Sequence, residues 1–347
     1  FKVTLQDRQT ETLAKVKKRA YGLYKKRLKD RLLITGALDR LIPDIKGDGV
    51  GTADIVIEAI FEDAQVKRDL FAEIEPKMKK DAILATNTSS IPLDELNTVL
   101  KKPERLVGLH FFNPVAMMPL VEIVHSPKTS EEVSNKAAAF TRGIDKLPLP
   151  VTSTPGFLVN RVLMPYLMEA VELVEENIPL AFIDKEALDY GMPMGPIELA
   201  DTVGLDICLK VAEILSQHMD ITVPERLRKM VEKGNLGKKS GKGFYTFKNG
   251  KPVKPAIPKD YQAPTDIQDR MIMRLVNEAV ACLRDKVVDS ADLADGGIIF
   301  GTGFAPFRGG PFHYIDSRGK DQLVKLLDQL EHRHGPRFTA DKGWGNI

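Results

Sequence analysis

The chain has 347 residues, of which 43% are apolar and 28% charged. That is the profile of a water-soluble globular protein of two or three domains, long enough to bury its own core. No run of about 18 uncharged apolar residues occurs, so no membrane-spanning helix is expected. Lys plus Arg number 50 against 48 Asp plus Glu, for a net charge of +2, which argues against a dedicated nucleic-acid binder. The only cysteines, Cys208 and Cys282, fall inside apolar helical patterns. They exclude a disulfide framework and favour a reducing compartment, the cytoplasm if the source is bacterial.

The first 150 residues alternate strands and helices. Residues 1–7 alternate apolar and polar side chains and end on Asp7, and a long charged helix is expected over about 8–33. Within it, residues 15–31 hold nine bases and one acid, Asp30. Such a run is a solvated helix face or a landing site for a small polyanion. Short β-rich runs follow at 53–59, 82–85, 106–112, 120–124 and near 147–151, with helical periodicity over 64–80 and about 130–143. This order predicts a mostly parallel sheet with helices on both faces.

Asp7 is the first candidate for ligand contact. In dinucleotide-binding folds an acid ends the second strand and takes the ribose hydroxyls, about 20 residues after a glycine-rich turn. No such turn precedes Asp7. Gly47-Asp48-Gly49-Val50-Gly51 lacks the third glycine, and Gly301-Thr302-Gly303 has Pro306 where the last glycine belongs. The expectation is an N-terminally incomplete domain with a gap in the middle of its sheet. The plain alternative is that Asp7 is a strand-end or helix-capping acid.

The second half is apolar and helical, opening after the Thr154-Pro155-Gly156 break. It contains a duplication. Arg161, Met164, Glu169, Ala170 and Val171 have counterparts in Arg270, Met273, Glu278, Ala279 and Val280. Gly195-Pro196 leads to Asp201 and Gly204 with the spacing by which Gly310-Pro311 leads to Asp316 and Gly319. Two related all-α units are expected, over about 155–245 and 265–335, joined by a turn-rich linker from Lys238 to Lys259. Asp269 stands in the second copy where the first has Asn160.

His110 ends a predicted strand at the edge where open parallel sheets bind ligands, and Glu122 lies in the next run. A histidine–carboxylate pair makes a general base, because the acid fixes the tautomer and supports the imidazolium. The alternative is a satisfied core histidine. His125 and His218 read as surface or helix positions, and His332 and His334 as the end of a charged helix. Asn87-Thr88-Ser89-Ser90 follows a strand, as a turn or as donors to a ligand oxygen. Asn160 opens the apolar helix of the second half, as a cap or a ligand contact. Neither a Ser–His–Asp elbow nor a Cys/His metal cluster is present.

Taken together, Glu58-Ala-Ile-Phe-Glu62, Asn87-Thr-Ser-Ser90, Gly108-Leu-His-Phe-Phe-Asn-Pro114, Leu120-Val-Glu122, Thr154-Pro-Gly-Phe-Leu-Val-Asn-Arg161, Gly195-Pro-Ile-Glu-Leu-Ala-Asp201 and Lys239-Ser-Gly-Lys-Gly-Phe-Tyr245 resemble the 3-hydroxyacyl-CoA dehydrogenase family. The second helical copy, with Gly303-Phe304 and Gly309-Gly310-Pro311, is most like the dehydrogenase part of the multifunctional β-oxidation α-subunit. The resemblance implies a Rossmann-type NAD-binding domain over 1–153, without its first strand and glycine loop. Helical domains over 154–250 and 262–347 would follow.

It also implies NAD-dependent oxidation of (S)-3-hydroxyacyl-CoA to the 3-ketoacyl-CoA. His110 would be the base, oriented by Glu122. Ser89 and Asn160 would hold substrate oxygens. Asp7 would bind the adenosine ribose, and Glu62, Lys67, Asn87, Ser89 and Asn113 would line the NAD site. An N-terminal enoyl-CoA hydratase/isomerase domain and a thiolase subunit are further implications, and the basic helix lies where the family places the CoA nucleotide. Two alternatives remain open: a noncatalytic acyl-CoA-binding or assembly module, and another two-domain NAD dehydrogenase.

Overall fold

The structure is a computed structural model that describes residues 1–219, 221–258 and 260–347. The expected linker end, Lys259, lies outside the described residues. The first part of the chain runs β1 (Val3–Gln6), α1 (Thr10–Arg27), α2 (Arg31–Asp39), β2 (Leu41–Asp44), β3 (Ile55–Glu58), α3 (Ala64–Ile74), β4 (Ile83–Thr86), α4 (Leu93–Leu96), β5 (Leu106–Phe111), β6 (Leu120–His125), α5 (Glu131–Gly143) and β7 (Leu147–Thr152).

The strands form two sheets. β1 and β2 pair in parallel, and a separate five-stranded sheet has the order β3-β4-β5-β6-β7. Within the latter, β5 and β6 are antiparallel and the other neighbours parallel. No ladder joins the two sheets among the described residues.

Two elements differ from the sequence reading. The expected helix over 8–33 is broken at Leu28, and Asp30 restarts it by accepting the N–H groups of Leu32 and Leu33 at 2.6 and 3.4 Å. The basic run hid this stop, because its charges continue through the break. Strand β2 was not expected, being short and carrying Pro43. Pro43 can stand there because β2 pairs on one side only.

Side-chain alternation assigns the two faces of the larger sheet. Ile83, Ala85, Val107, Leu109, Val121 and Ile123 pack on Ala137, Val133 and Phe140 of α5. The opposite face, with Leu84, Leu106, Leu120 and Val124, joins the main core and the helical half. His110 and Glu122 share the parity of that second face.

The helical half comprises α6 (Val159–Glu175), α7 (Leu180–Tyr190), α8 (Pro196–Val203), α9 (Leu205–Leu215), α10 (Glu225–Glu232), α11 (Ile267–Arg284), α12 (Ala291–Thr302), α13 (Pro311–Arg318) and α14 (Lys320–His334). It is helical apart from a small hairpin, β8 (Thr246–Lys248) and β9 (Lys251–Val253), inside the expected linker. It buries carboxylates that tie its elements together. Buried Asp201 accepts Phe244 N and Tyr245 N at 2.9 and 2.8 Å, and Tyr245 Oη donates to Asp184 at 2.8 Å.

The duplication is physical as well as sequential. Asp184 accepts Ile197 N at the start of α8 at 2.9 Å, and Asp295 accepts Phe312 N at the start of α13 at 2.8 Å. A Cβ on Gly195 would lie 2.2 Å from the Asp184 carboxyl, and one on Gly310 would lie 2.4 Å from that of Asp295. Glycine precedes both helices because the carboxylate occupies that space. Asp316, the counterpart of Asp201, is exposed. No helix among the described residues is long and apolar enough to cross a membrane.

Candidate active site

The antiparallel register of β5 and β6 sets His110 directly opposite Glu122. His110 Nδ1 lies 2.6 Å from Glu122 Oε2, and both side chains are buried. The other carboxylate oxygen, Oε1, accepts the N–H groups of Leu158 and Val159 at 3.0 Å each, at the start of α6. Glu122 thus joins the sheet, the imidazole and the first turn of the helical half. An anion suits the helix N-terminus. His110 Nε2 has no hydrogen-bond partner among the described residues. With Nδ1 donating to the carboxylate, Nε2 is an acceptor in the neutral ring.

Around this pair stand Asn87, Ser89 and Asn160. Asn87 Oδ1 accepts Phe111 N at 2.9 Å and ties the end of β4 to the strand that carries His110. Asn160 lies inside α6, where its side chain makes no cap, and its amide donates to Ser89 O at 2.9 Å. Ser89 Oγ and Asn160 Oδ1 have no hydrogen-bond partner among the described residues. They are available to bind an oxygen or an amide of a ligand.

Glu62 organises the turn that holds Ser89. Its Oε1 accepts Thr88 Oγ1 at 2.6 Å, Ser89 N at 2.7 Å, Ser90 N at 3.1 Å and Ser90 Oγ at 3.3 Å. Its backbone carbonyl accepts Lys210 Nζ from α9, a contact absent from the sequence reading. Lys67 is fully buried, with Nζ 2.8 and 2.9 Å from the Glu58 carboxylate and 3.5 Å from Glu62 Oε2. Glu58 also accepts Thr86 Oγ1 at 2.6 Å.

Glu62 and Lys67, expected to line the NAD site, both carry structural bonds. The Lys67 ammonium is held by the Glu58 carboxylate, and Glu62 Oε1 is held by the Thr88–Ser90 turn. The reason is physical, since a buried ammonium needs paired carboxylates. Glu58, quoted only as part of a motif, and Thr86 carry no role in the sequence reading, because theirs depends on strand pairing.

Asn113 is exposed, just past β5. Asp7 ends β1, and its Oδ1 accepts Gln9 N at 2.8 Å before α1. That bond closes the turn ahead of α1 and is not a helix cap, since α1 has no side-chain cap bond at Gln9. The glycine run at 47–51 is a tight turn held by Asp44, which accepts Lys46, Gly47 and Gly49 N–H groups. The Gly49 N–H, first among these donors, holds Asp44 below the usual carboxylate range.

Residues 1–154 match the NAD-binding domain of 3-hydroxyacyl-CoA dehydrogenase, and residues 156–247 match its C-terminal domain. The chain belongs to the 3-hydroxyacyl-CoA dehydrogenase family. As a member it is an NAD-dependent oxidoreductase, a Rossmann-like domain followed by a helical region. It is 37% identical over 355 residues to the fatty acid oxidation complex subunit alpha of Vibrio vulnificus, covering 98% of this chain and 50% of that protein. The chain spans about half the length of the curated relatives it matches.

Among solved structures, the (S)-3-hydroxybutyryl-CoA dehydrogenase of Ralstonia eutropha is 33% identical with a TM-score of 0.67, covering 72% of this chain and 91% of that one. The 3-hydroxybutyryl-CoA dehydrogenase of Escherichia coli is 26% identical with a TM-score of 0.87, covering 99% of this chain and 92% of that one. The second helical copy thus falls within the fold that the dehydrogenase family uses.

Proposed function

We propose that this dehydrogenase oxidises (S)-3-hydroxyacyl-CoA thioesters to 3-ketoacyl-CoA in fatty-acid β-oxidation. The observation that carries the reading is the buried His110–Glu122 pair with His110 Nε2 left open, beside Ser89 Oγ and Asn160 Oδ1. These groups suit the reacting end of a nicotinamide and a hydroxyacyl substrate. NAD supplies the hydride acceptor when bound.

His110 Nε2 takes the proton of the 3-hydroxyl as the carbon–hydrogen bond breaks. Glu122 fixes the tautomer through Nδ1 and stabilises the imidazolium that forms. Ser89 and Asn160 hold the substrate oxygens beside Nε2, and the Asn160-to-Ser89 hydrogen bond keeps the two in register across the domain junction. Asn113, Asn87 and the free oxygen of Asp7 line the cofactor side, while Glu62 and Lys67 shape it from behind.

The same reading divides the chain into a cofactor domain over 1–153 and helical domains over 154–250 and 262–347. Similarity to the α-subunits supports an N-terminal hydratase/isomerase domain and a thiolase partner for the whole protein. Two free, buried cysteines suit a reducing compartment such as a bacterial cytoplasm.

The test is NADH consumption with a 3-ketoacyl-CoA by the full-length protein, with His110→Ala beside it. The expected loss in the variant is about 10²–10⁴-fold. Turnover equal to native in the variant would remove His110 from its role. Acyl-CoA binding without any turnover by the native protein would favour a noncatalytic module.

A further inference from the structure

We propose that Phe157 is a positioning residue for the reaction: its left-handed backbone aims the first N–H groups of α6 at Glu122, and its ring seals the His110–Glu122 pair from water. The proposal rests on the dehydrogenase reading above.

Gly156 and Phe157 are consecutive left-handed residues, with φ of 74° and 51°. Glycine adopts that region freely, whereas a bulky side chain does so only when its surroundings enforce it. Phe157 is an outlier of this kind at the junction of the two halves, next to the reactive pair, where stored backbone strain commonly has a functional reason.

The geometry supplies the reason. The turn closes with Phe157 N donating to Thr154 O at 3.0 Å and Arg161 N to Gly156 O at 3.2 Å. Between those two bonds, Leu158 N and Val159 N are left pointing away from the helix, and both land on Glu122 Oε1 at 3.0 Å. The oxygen they hold belongs to the carboxylate whose other oxygen holds His110 Nδ1. A residue in ordinary extended or helical backbone at 157 would swing both N–H groups off that oxygen.

The ring has a separate task. Phe157 is fully buried, and its ring meets the imidazole edge-on at a centroid distance of 5.6 Å. Phe112 lies on His110 at 4.5 Å. Two aromatic rings therefore flank the imidazole. A hydrogen bond shielded from water is electrostatically stronger than an exposed one. A core residue kept only for its volume would need neither the left-handed backbone nor the approach to His110.

The experiment compares Phe157→Leu and Phe157→Gly in the full-length protein. Leucine keeps apolar bulk, and glycine keeps the left-handed turn without strain. Both remove the ring. We expect both to lower kcat for 3-ketoacyl-CoA reduction by about 10²-fold, the scale of a small misplacement of reacting groups, with little change in the KM for NADH or thioester.

The second readout is the carbethoxylation rate of His110, followed by peptide mass spectrometry. It should rise in both variants, while that of exposed His218 and His332 stays as in the native protein. A native kcat in either variant, or a His110 rate unchanged in both, overturns the proposal. So does a loss confined to KM. If the native protein shows no turnover, the functional reading falls, and the His110 modification rate still decides whether Phe157 seals the pair.

Discussion

Arg161 and Arg270 hold the same place in the two helical copies, and each forms its ion pairs with the other copy. Arg161 of α6 reaches Glu278 of α11 and Asp285 just past its end, both at 2.6 Å, and Arg270 of α11 reaches Glu169 of α6 at 2.7 Å and Glu176 just past its end at 2.6 Å. The start of each helix meets the later turns of the other, so the two run antiparallel. The contact is self-complementary, as an isologous interface between identical subunits is. Here both halves belong to one chain.

The reciprocal pairs are unequal in depth, and that decides which one matters for stability. Arg270 and Glu169 are buried, whereas Arg161 keeps some exposure. Removing one partner of a buried pair strands the other charge at a cost of about 3–5 kcal/mol. Glu169 keeps Arg337 at 2.7 Å, so Arg270→Ala should fall near the lower end, about 3 kcal/mol. Urea unfolding should show Arg161→Ala costing less, and Arg270→Ala with Glu169→Ala costing less than the sum of the two. An additive double variant would mean that the pair does not act as a unit.

Asp201 gives the helical half a pH dependence. Burial raises its carboxyl to about 6, well above the ordinary aspartate range, against the opposing pull of the Tyr245 and Phe244 N–H groups. The folded state therefore binds the proton more tightly than the unfolded state. Below about pH 4 both states are protonated and the group is neutral in its effect. Between about 4 and 6 the unfolded state ionises first, and stability declines as pH rises; above about 6 the loss is complete. Asp201→Asn cannot ionise. Its urea midpoint relative to native should be less favourable at pH 4 than at pH 7, and a constant difference would refute the assignment.

Two glycine substitutions should act in opposite directions. Gly195→Ala would drive a methyl into the Asp184 carboxyl that caps α8. Its ordinary backbone, with φ of −67°, makes the cost purely steric, about 1–3 kcal/mol. Gly22 lies in α1 with nothing within 4 Å of its added Cβ. Gly22→Ala should stabilise by about 0.4–1 kcal/mol through the unfolded chain. Thermal unfolding of the two variants side by side checks both signs.

Much of this was legible in the linear order of residues. The strands at 83–86, 106–111 and 120–125 announce themselves by apolar runs between turn residues. The duplicated Arg–Glu spacing was visible before any contact was known. His110 and Glu122 could be picked out as a histidine–carboxylate pair on neighbouring strands, whereas Asn87, Ser89 and Asn160 read equally as turn or cap residues and took their roles from the family resemblance. Strand β2 was not legible, since four residues including a proline carry no periodic signal. The break between α1 and α2 was hidden by continuous charge.

Chain order and residue type by themselves determined the class of fold, the duplicated helical half and the candidate base, because period, punctuation and motif spacing are local properties. Tertiary structure alone decided which groups are spoken for. It placed His110 opposite Glu122 through an antiparallel register. It withdrew Lys67 into a buried cluster with Glu58 and made Glu62 the anchor of a turn. It also turned two similar helices into reciprocal partners. Burial and long-range pairing set the energy of a charged group, and neither is a property of the segment that carries it.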